Sequence, residues 1–323
     1  MTRRAAVIGA GLAGLACARL LRRAGHYVEV FDRERLIGGR IATTRIGLTS
    51  FDHGAQYLTA RSVGFRAYLD ELADTGYAAR WLPRAASGQV AGQILPWYVG
   101  TPAMSAIMRP LVEGVRVHNG KAVHTIARQD RGWHIWFEDE TVAGPFHAVA
   151  IAVPAPDARL LLGRLEFLIE PLQHVRMAPC WSVMVNLDEA CLPDQDVFSD
   201  MSEVIRWAAR NGTKPGRRSR GDQIVIHAGQ AWSRETSDAE PDLVAEELWE
   251  ELTRLLGLSQ CHPRQISAHL WNHGLVERSL GESCVFSSLH MVGLAGDWCL
   301  GRLAEHAFES GSALARAMIN AMD

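Results

Sequence analysis

The chain begins with a short apolar run, a glycine-rich turn and a stretch of helical periodicity. Residues Ala5 to Ile8 are all apolar, which is typical of a buried parallel strand. Apolar residues then recur at helical spacing from Leu12 to Arg23, and Gly25 ends this predicted helix. A second strand is predicted over Tyr27 to Phe31. The pattern predicts a strand, helix, strand unit of the α/β class.

Similar patterns predict further elements. Strands are expected over residues 116–123, 133–142, 147–153, 183–187, 223–227 and 291–295. Helices are expected over Leu243 to Leu256 and from about Ala304 to Met322. Arg210 to Asp222 is polar and contains glycine and proline, so a loop is expected there.

The turn after the first strand carries the motif Gly9-x-Gly11-x-x-Gly14. Gly9 permits the tight turn, Gly11 lets the backbone approach a pyrophosphate, and Gly14 lets the helix pack close to the strand. The free N–H groups of the helix N-terminus, at Leu12 and Ala13, would then face phosphate oxygens. In its strand, turn, helix context the motif predicts a Rossmann-type dinucleotide site.

An acid closes the second strand. Asp32 follows Gly14 by 18 residues, near the spacing expected for a carboxylate that holds a ribose hydroxyl. Glu29, inside the same strand, is the alternative acid. These residues predict an adenine dinucleotide but do not distinguish FAD from NAD.

The next segment favours FAD. Leu36 to Thr43 contains Gly38, Gly39 and Arg40; the glycines let the chain fold close to a dinucleotide, and the arginine is a planar cation suited to phosphate oxygens. The alternative is a glycine turn with a solvated arginine. The segment resembles the second fingerprint of the flavin amine oxidase superfamily, although Leu36 replaces the first arginine common there.

A second signal lies near the C-terminus. The predicted strand 291–295 leads into Gly296-Asp297-Trp298 and a helix from about Ala304. In flavoproteins with two dinucleotide-type segments, such a carboxylate contacts the ribityl chain, and the helix N-terminus stabilises negative charge on the flavin. The alternative is that Asp297 only caps its own helix.

Length and composition limit the remaining possibilities. At 323 residues the chain exceeds the size at which single cores usually stop growing, so two domains are expected. The net charge of −3 and the 48% hydrophobic content are typical of a globular protein without a nucleic-acid partner. Arg3 and Arg4, followed by Ala5 to Ala18, imitate a signal peptide, but the same residues fit the glycine motif. No other apolar run reaches the roughly 20 residues of a membrane helix, so a soluble protein is expected.

The cysteines and histidines give no sign of a cross-link or a metal. Because the cysteines are scattered, we expect no disulfide, no zinc site and a reducing, cytoplasmic compartment. They are Cys17, Cys180, Cys191, Cys261, Cys284 and Cys299. His262, His269 and His273 lack ligand spacing, so no metal is predicted.

Three further blocks make the resemblance more specific. They run from Phe51 to Arg61, from Trp97 to Ala106 and from Gly296 to Gly301, and Ala178 to Trp181 agrees more loosely. With these blocks the chain resembles a bacterial member of the renalase family. Ala103-Met104, Leu270 to His273 and Leu303 to His306 depart from the family pattern. The resemblance implies an amine-oxidase-like architecture of two domains.

The predicted fold is α/β, with a Rossmann-like FAD-binding domain and an α+β second lobe that carries a mixed sheet. The FAD-binding domain is expected to contain residues 1–60, 96–156 and 286–323. The substrate domain is expected to contain residues 61–95 and 157–285.

The resemblance also implies an activity. Members of the family bind FAD non-covalently and oxidise abnormal dihydronicotinamide dinucleotides, which are reduced at ring position 2 or 6 rather than 4. Hydride passes to flavin N5, and dioxygen then takes the electrons, which gives NAD(P)+ and hydrogen peroxide. A dihydropyridine gives up no proton in this step, so no catalytic acid, base or nucleophile is required. The expected partners are a small dinucleotide substrate and dioxygen, and the expected state is a monomer or weak dimer without nucleic acid or membrane.

The motifs and blocks together define the candidate site residues. FAD contacts are expected at Gly9, Gly11, Leu12, Ala13, Gly14, Asp32, Arg33, Gly39, Arg40, Gln56, Tyr57, Val123, Gly296, Asp297 and Ala304. Substrate contacts are expected at Gln56, Tyr57, Leu58, Thr59, Ala60, Trp97, Tyr98, Val99, Gly100, Thr101, Pro102, Ala103, Met104, Ser105, Trp271 and Trp298. The aromatic members are candidates because a flat wall orients a ring.

Two alternative functions share the cofactor residues. A flavin-dependent amine oxidase often uses a lysine that holds a water at flavin N5. The two lysines of this chain, Lys121 on a predicted strand and Lys214 in the predicted loop, are in no suitable motif. A non-catalytic flavin-binding redox sensor is the other alternative, although it would have no use for the two substrate-side blocks.

Overall fold

A computed structural model describes residues 2–84, 95–129, 131–163, 165–217, 221–258 and 261–323. The chain forms two compact units. Unit 1 contains Met1–Arg40, Met108–Met177 and Val276–Asp323, and unit 2 contains Ile41–Ile107 and Ala178–Leu275.

Helices separate runs of up to five consecutive strands along the described chain. The strands are β1 (Arg4–Ile8), β2 (Tyr27–Asp32), β3 (Thr44–Ile46), β4 (Thr49–Phe51), β5 (Ala78–Trp81), β6 (Trp97–Gly100), β7 (Arg116–Asn119), β8 (Val123–Gln129), β9 (Gly132–Phe137), β10 (Val142–Phe146), β11 (Ala148–Ile151), β12 (Arg176–Asn186), β13 (Val197–Ser199), β14 (Ile205–Arg210), β15 (Gln223–Ala228), β16 (Gln265–Arg278), β17 (Val285–Ser287) and β18 (Val292–Leu294). The α-helices are α1 (Leu12–Arg23), α2 (Val63–Asp74), α3 (Ala155–Leu161), α4 (Glu166–Leu172), α5 (Gln230–Glu235), α6 (Pro241–Leu256), α7 (Asp297–Leu300) and α8 (Ala304–Met322). Short 3₁₀ segments cover Gly39–Ile41, Met104–Leu111 and Asn211–Thr213.

Unit 1 is built on a sheet with the order β17-β18-β11-β1-β2-β7. Strand β1 is parallel to both of its neighbours, β11 and β2, and its residues Ala5 to Ile8 are buried. A strand in the middle of a parallel sheet is covered on both faces, so it is a continuous apolar run. Helices α1 and α8 pack at backbone distance, because a Cβ atom on Gly311 would lie 2.0 Å from the Ala13 carbonyl oxygen. The predicted Rossmann-like unit is confirmed.

Unit 2 is built on a sheet with the order β13-β14-β15-β12-β16. Its strands β13, β14, β15 and β12 pair antiparallel with their neighbours. Residues of α6 that recur at helical spacing, among them Val244, Leu248 and Leu252, are buried in the same apolar cluster as the sheet residues Val183 and Ile226. This cluster is the core of unit 2.

Two predicted strands are wrong in extent. The prediction over 116–123 spans the end of β7 and the start of β8, because the chain turns at Gly120, whose φ is 69°. The prediction over 133–142 spans a hairpin of β9 and β10 that turns near Glu140, whose φ is 62°. In both cases residues with left-handed backbone interrupt an apolar pattern that continues on the other side.

The predicted domain boundaries also differ from the units. The structure places residues 41–60 and 96–107 in unit 2, and residues 157–177 and 276–285 in unit 1. The hairpin of β3 and β4 ends at Asp52, whose contacts are with unit 2 residues described below, whereas α3 and α4 pack into the apolar cluster of unit 1. Within the predicted ranges, residues 85–94, 130, 164, 218–220 and 259–260 lie outside the described residues.

The expectation of no disulfide is wrong at one pair. Cys191 and Cys261 form a disulfide within unit 2, although 70 residues separate them. That separation carries no local signal, which is why spacing along the chain did not reveal it. Cys17, Cys180, Cys284 and Cys299 are free thiols. Among the described residues, no helix is both long and apolar enough to cross a membrane.

Candidate functional site

The glycine motif in unit 1 forms a turn that no larger residue fits. A Cβ atom on Gly14 would lie 1.9 Å from the Gly9 carbonyl oxygen, and one on Gly9 would lie 2.5 Å from the Ala152 carbonyl oxygen. At Gly11, by contrast, a Cβ atom would meet no described atom within 4 Å. The turn therefore has no room for a side chain at Gly9 or Gly14. It has free space at Gly11, the position predicted to face a pyrophosphate.

The neighbouring segment and the helix start complete this cradle. Gly38 lies beside Gly11 in an isolated parallel bridge, and its N–H donates to the Ala10 carbonyl at 3.0 Å. Within the described residues, no side chain caps α1, and its first turn contains no acid. The first N–H groups of α1, at Leu12 and Ala13, therefore remain available to an anion.

Asp32, at the end of β2, faces the glycine turn. Its carboxylate accepts hydrogen bonds from the N–H of Ala10 and, at 2.8 Å, from the N–H of Glu34. Burial raises the pKa of Asp32, and these two N–H groups oppose that rise. The alternative acid, Glu29, is held by Arg4 at 2.7 Å and His118 at 3.0 Å. Of the two acids, Asp32 has the position required of a ribose ligand.

Arg40 and Asp297 form a bidentate ion pair within unit 1. The two guanidinium nitrogens lie 2.8 and 2.7 Å from the two carboxylate oxygens. Asp297 also accepts from the N–H of Trp298 at 2.9 Å. Arg40 and Asp297 thus orient each other. The sequence had assigned Arg40 to the phosphates of FAD and Asp297 to its ribityl chain.

We predict that Arg40→Lys weakens FAD binding about tenfold, because a lysine ammonium cannot hold both carboxylate oxygens in one plane. The measurement is flavin fluorescence during titration of the apoprotein with FAD. Arg35→Lys, at an exposed position, is the matched control and should bind as the native protein does. Equal affinity in the two variants would contradict a role for the Arg40–Asp297 pair.

Other residues assigned to FAD lie around this cradle or at its edge. Arg33 is largely exposed and pairs with Asp157 at 3.1 Å. Gly39 has a φ of 53° and begins a 3₁₀ turn, and Ala304 begins α8. Val123, half-buried, is the first residue of β8.

Trp298, predicted to contact the substrate, lies inside unit 1 and does not line the aromatic cavity described below. It is fully buried in the apolar cluster of unit 1, and its indole N–H donates to the Val153 carbonyl at 3.0 Å. A Cβ atom on Gly296 would lie 2.2 Å from that indole nitrogen. Trp298 therefore packs within unit 1, where it anchors the Gly296-Asp297 turn.

Unit 2 contains an aromatic cavity. Tyr57 and Trp97 stack with ring centroids 3.7 Å apart and planes 10° apart. Trp207 lies 5.6 Å from Tyr57 and 5.8 Å from Trp97 between centroids. The cavity has a volume of about 320 Å³ and is lined by Tyr57, Trp97, Val197, Ser199, Asp200, Arg206 and Trp207.

A buried ionic cluster fixes the block from Phe51 to Arg61, which contributes Tyr57 to this cavity. We call Asp52, Lys214 and Arg217 the buried triad; their side chains are 1%, 0% and 4% exposed. Lys214 Nζ lies 3.2 Å from Asp52 Oδ2 and 3.0 Å from Gln56 Oε1. Arg217 donates to the same Asp52 oxygen, and the Met104 N–H donates to the other at 2.9 Å.

The segment 210–222 was predicted to be a polar loop, but its residues Lys214 and Arg217 are buried in the triad. Residues 218–220 of this segment lie outside the described part of the chain. Lys214 donates its hydrogens to Asp52, Gln56 and Asn211, so it is buried and saturated rather than solvated. Burial lowers the pKa of Lys214 to about 8, against the attraction of Asp52. Burial alone would raise the pKa of Asp52, but Lys214 and Arg217 outweigh it and hold the value at about 2.

Trp271 also contacts the block from Phe51 to Arg61. Its indole N–H donates to the His53 carbonyl at 3.0 Å, and its ring stacks on the His53 imidazole with centroids 4.9 Å apart. Burial lowers the pKa values of His53 and His227 to about 4, so both are neutral near pH 7. Trp271 was predicted as a substrate wall, but it does not line the aromatic cavity.

The remaining residues assigned to substrate differ in exposure. Those that are buried are Gln56, Leu58, Ala60, Tyr98, Val99, Gly100 and Met104. Those that are half-buried or exposed are Thr59, Thr101, Pro102, Ala103 and Ser105. Gly100 is fixed by packing, because a Cβ atom there would lie 2.4 Å from the Ala103 carbonyl oxygen. The two blocks meet in an antiparallel bridge between Leu58 and Tyr98.

Sequence reasoning missed three residues of the cavity that carry polar chemistry: Asp200, Arg206 and Trp207. It also missed Asp52 as the shared partner of Lys214 and Arg217. The cavity residues Arg206 and Trp207 could have been noticed, because an arginine and a tryptophan stand side by side there in an otherwise apolar stretch. The triad has no local signal, because more than 150 residues separate its acid from its cations.

Comparison with known proteins identifies both parts of the chain. Residues 7–72 match the NAD(P)-binding Rossmann-like domain, and residues 78–319 match the flavin containing amine oxidoreductase family. Two solved structures share the fold over 99% of both chains. They are a "Putative protoporphyrinogen oxidase" from Exiguobacterium sp. 255-15 (TM-score 0.77, 12% identity) and a redesigned putrescine oxidase (TM-score 0.72, 13% identity).

Curated relatives match over short stretches. "Putative flavin-containing monoamine oxidase AofH" of Mycobacterium tuberculosis is 46% identical over 66 residues, which is 20% of this chain and 14% of that protein. The 15-cis-phytoene desaturase of Synechococcus elongatus is 40% identical over 69 residues, which is 21% of this chain and 14% of that protein. The chain thus spans about a seventh of the length of these relatives.

The cofactor follows from the family and from the fit of the cradle. The open Cα face of Gly11, the uncapped N-terminus of α1 and the carboxylate of Asp32 suit the pyrophosphate and ribose of an adenine dinucleotide. The protein binds FAD non-covalently. By the match over residues 78–319, three quarters of its length, the chain belongs to the flavin containing amine oxidoreductase family.

Proposed function

We propose that this protein oxidises dihydronicotinamide dinucleotides that are reduced at ring position 2 or 6. When bound, FAD supplies the two-electron acceptor at N5, and dioxygen is the final oxidant. One dihydronicotinamide, one dioxygen and one proton give one NAD(P)+ and one hydrogen peroxide. The substrate loses a hydride and no proton, so the protein need only bind and orient the ring.

The observation that carries the proposal is the stacked pair of Tyr57 and Trp97 at the cavity. Their centroids are 3.7 Å and their planes 10° apart, so the two rings lie face to face and the pair has flat outer ring faces at the cavity. A flat wall favours a planar ring by offset stacking and limits its rotation. Both residues fall inside the blocks that resemble the renalase family, which supports the same substrate class.

The lysines also support it. Lys214 gives its hydrogens to three protein acceptors, and Lys121 pairs with Asp139 and, at 3.0 Å, with Thr141. Lys214 therefore has no hydrogen left for a catalytic water, and Lys121 lies in unit 1, outside the aromatic cavity. A dihydropyridine needs no such water, whereas amine oxidation often uses one.

A small-amine oxidase is the second candidate, and Asp200 favours it. Asp200 lines the aromatic cavity, and a carboxylate there would attract a protonated amine. Arg206 lines the same cavity and would repel that cation. The two charges make the cavity better suited to a zwitterionic or anionic ring compound than to a simple amine.

The deciding experiment is anaerobic stopped-flow absorbance of the FAD-loaded protein at the flavin band. The protein is mixed in turn with 2- and 6-dihydronicotinamide dinucleotides, with ordinary NAD(P)H and with a panel of amines. We expect rapid loss of the flavin colour with the 2- and 6-isomers and little with the others. Bleaching by an amine while the isomers have no effect would overturn the proposal in favour of the second candidate, and no bleaching at all would favour a redox sensor.

We predict that Tyr57→Leu lowers kcat/KM for the reactive isomer about tenfold, because the stacked pair at the cavity loses one of its two rings. Tyr77→Leu, in the same unit but outside the cavity, is the matched control and should retain native kinetics. Flavin content is measured for both variants, so that loss of FAD is distinguished from loss of substrate orientation. Equal kinetics in the two variants, at equal flavin content, would remove Tyr57 from the substrate site.

A further inference from the structure

The aromatic cavity of unit 2 contains two hydrogen-bond donors that the protein does not use. Trp207 Nε1 is buried and has no hydrogen-bond partner among the described residues. The Arg206 guanidinium makes no hydrogen bond or ion pair with any residue that the structure describes. A buried donor without a partner costs free energy, so the Trp207 N–H points to an acceptor that a ligand supplies, and the half-buried Arg206 guanidinium lies at the same cavity.

An irregularity in β14 brings both donors to the cavity. Adjacent residues of a regular strand face opposite sides of the sheet, so Arg206 and Trp207 would normally point apart. Here the pairing of β14 with β15 shifts register between Ile205 and Trp207, and Arg206 is the extra residue. Such bulges re-aim side chains, and this one lets two neighbouring residues line one cavity.

The other residues of the cavity define the rest of the ligand. The stacked rings of Tyr57 and Trp97 favour a planar ring, and the carboxylate of Asp200 offers an acceptor for hydroxyl groups. Arginine is the residue best matched to phosphate oxygens. A planar ring, hydroxyl groups and a phosphate together are a nucleotide. The volume of about 320 Å³ is at the small end for ligand pockets, so it suits one nucleotide rather than a whole dinucleotide.

We propose that Arg206 and Trp207 bind the 5′-phosphate of the nicotinamide nucleotide whose ring stacks on Tyr57 and Trp97. Arg206 is then a specificity-determining residue that selects phosphorylated pyridine nucleotides over the nucleoside. Dihydronicotinamide mononucleotide should be a substrate as well as the dinucleotide, and the riboside a poor one. This inference rests on the proposed function for the identity of the ring, but the phosphate contact is testable without turnover.

The first test is equilibrium binding to the FAD-loaded protein by calorimetry. Nicotinamide mononucleotide, nicotinamide riboside, AMP and inorganic phosphate are titrated into the native protein, Arg206→Gln and Arg45→Gln. Arg45 is exposed on β3 and is the matched control. We expect the mononucleotide to bind at least tenfold more tightly than the riboside, and we expect Arg206→Gln alone to abolish that difference. Equal binding of mononucleotide and riboside, or an unchanged preference in Arg206→Gln, would overturn the inference.

AMP and inorganic phosphate show what the site recognises. Arg206-dependent binding of the mononucleotide alone supports a pyridine nucleotide site. Binding of AMP at equal strength, or of inorganic phosphate as strongly as the nucleotides, would overturn the assignment to the nicotinamide half.

Trp207→Phe tests the second donor while keeping an aromatic ring. It removes only the N–H group that has no protein partner, so the unfolding midpoint of the protein should not fall. Binding of the mononucleotide should weaken by a few fold, and binding of the riboside should not change. Loss of stability with unchanged binding would show that Trp207 only packs.

Turnover separates this inference from the proposed function. Values of kcat/KM are measured for the 6-dihydro forms of the dinucleotide, mononucleotide and riboside. A drop of tenfold or more in Arg206→Gln for the two phosphorylated forms only would support both proposals. If no form is oxidised but the calorimetric preference depends on Arg206, the proposed function fails and the phosphate site stands. If the dinucleotide is oxidised equally well by Arg206→Gln, the phosphate site fails and the proposed function stands.

Discussion

Adding one methyl group at Gly14 should remove FAD from the protein. In Gly14→Ala the new Cβ atom would lie 1.9 Å from the Gly9 carbonyl oxygen and 3.3 Å from the Ala152 Cβ atom. The Gly9 backbone cannot yield without moving α1 away from β1, and overpacking of this kind costs roughly 1–3 kcal/mol. The shift would also displace the N–H groups at the start of α1, so we expect FAD affinity to fall roughly a hundredfold.

Gly11→Ala is the matched variant, because its methyl group meets no described atom within 4 Å. The apoprotein should therefore unfold at the native urea concentration. The methyl group would occupy the side on which the pyrophosphate approaches, so FAD affinity should still fall at least tenfold. Two measurements on each variant, urea unfolding of the apoprotein and titration with FAD, separate packing from cofactor contact. Tight FAD binding by Gly11→Ala would show that the dinucleotide does not pass over this turn.

The N-terminal part of unit 1 was predictable because its signals are local. The run from Ala5 to Ile8, the glycine motif and Asp32 lie within 28 residues, and each constrains backbone conformation where it stands. The predicted helices from Leu12 to Arg23 and from Ala304 to Met322 have the observed ends. Periodicity failed where a turn interrupted a continuing apolar pattern, as between β7 and β8 at Gly120.

The buried triad and the aromatic cavity of unit 2 were not predictable, because they depend on contacts between residues far apart in the sequence. A lysine between polar, glycine and proline residues indicates a solvated loop, yet Lys214 is fully buried because Asp52 lies beside it. The aromatic cavity depends on a register shift in β14, and such a shift depends on pairing with β15. The block from Phe51 to Arg61 marked the region as important, but it did not reveal which partners hold it.

The largest expected loss of stability is for removal of the acid from the buried triad. Asp52 is the single described carboxylate that pairs with Lys214 and Arg217, and all three side chains are at most 4% exposed. Asp52→Asn leaves two buried cations near each other, and breaking a buried pair in this way costs about 3–5 kcal/mol. Lys214→Met leaves a neutral pair of Asp52 and Arg217, so its cost should be smaller, about 1–3 kcal/mol.

This order of effects is specific to a triad with one acid and two cations. The free energies of unfolding are compared by urea denaturation of the FAD-loaded proteins at pH 7. Asp188→Asn is the matched control, since Asp188 pairs with Arg264 at 3.0 Å and both side chains are about two-thirds exposed. It should cost less than about 1 kcal/mol. A greater loss in Lys214→Met than in Asp52→Asn would contradict the charge argument.

The pH dependence of stability gives an independent check on Lys214. Its pKa is lowered from 10.5 to about 8 in the folded protein, chiefly by burial. Between these two pH values the unfolded chain binds more protons at this group than the folded chain does, so Lys214 makes the protein more stable as the pH rises through this range. Lys214→Met should lack that increment, and the difference in unfolding free energy between native protein and variant should therefore grow from pH 8 to pH 10. A difference that stays constant would mean that the lysine keeps an ordinary pKa despite its burial.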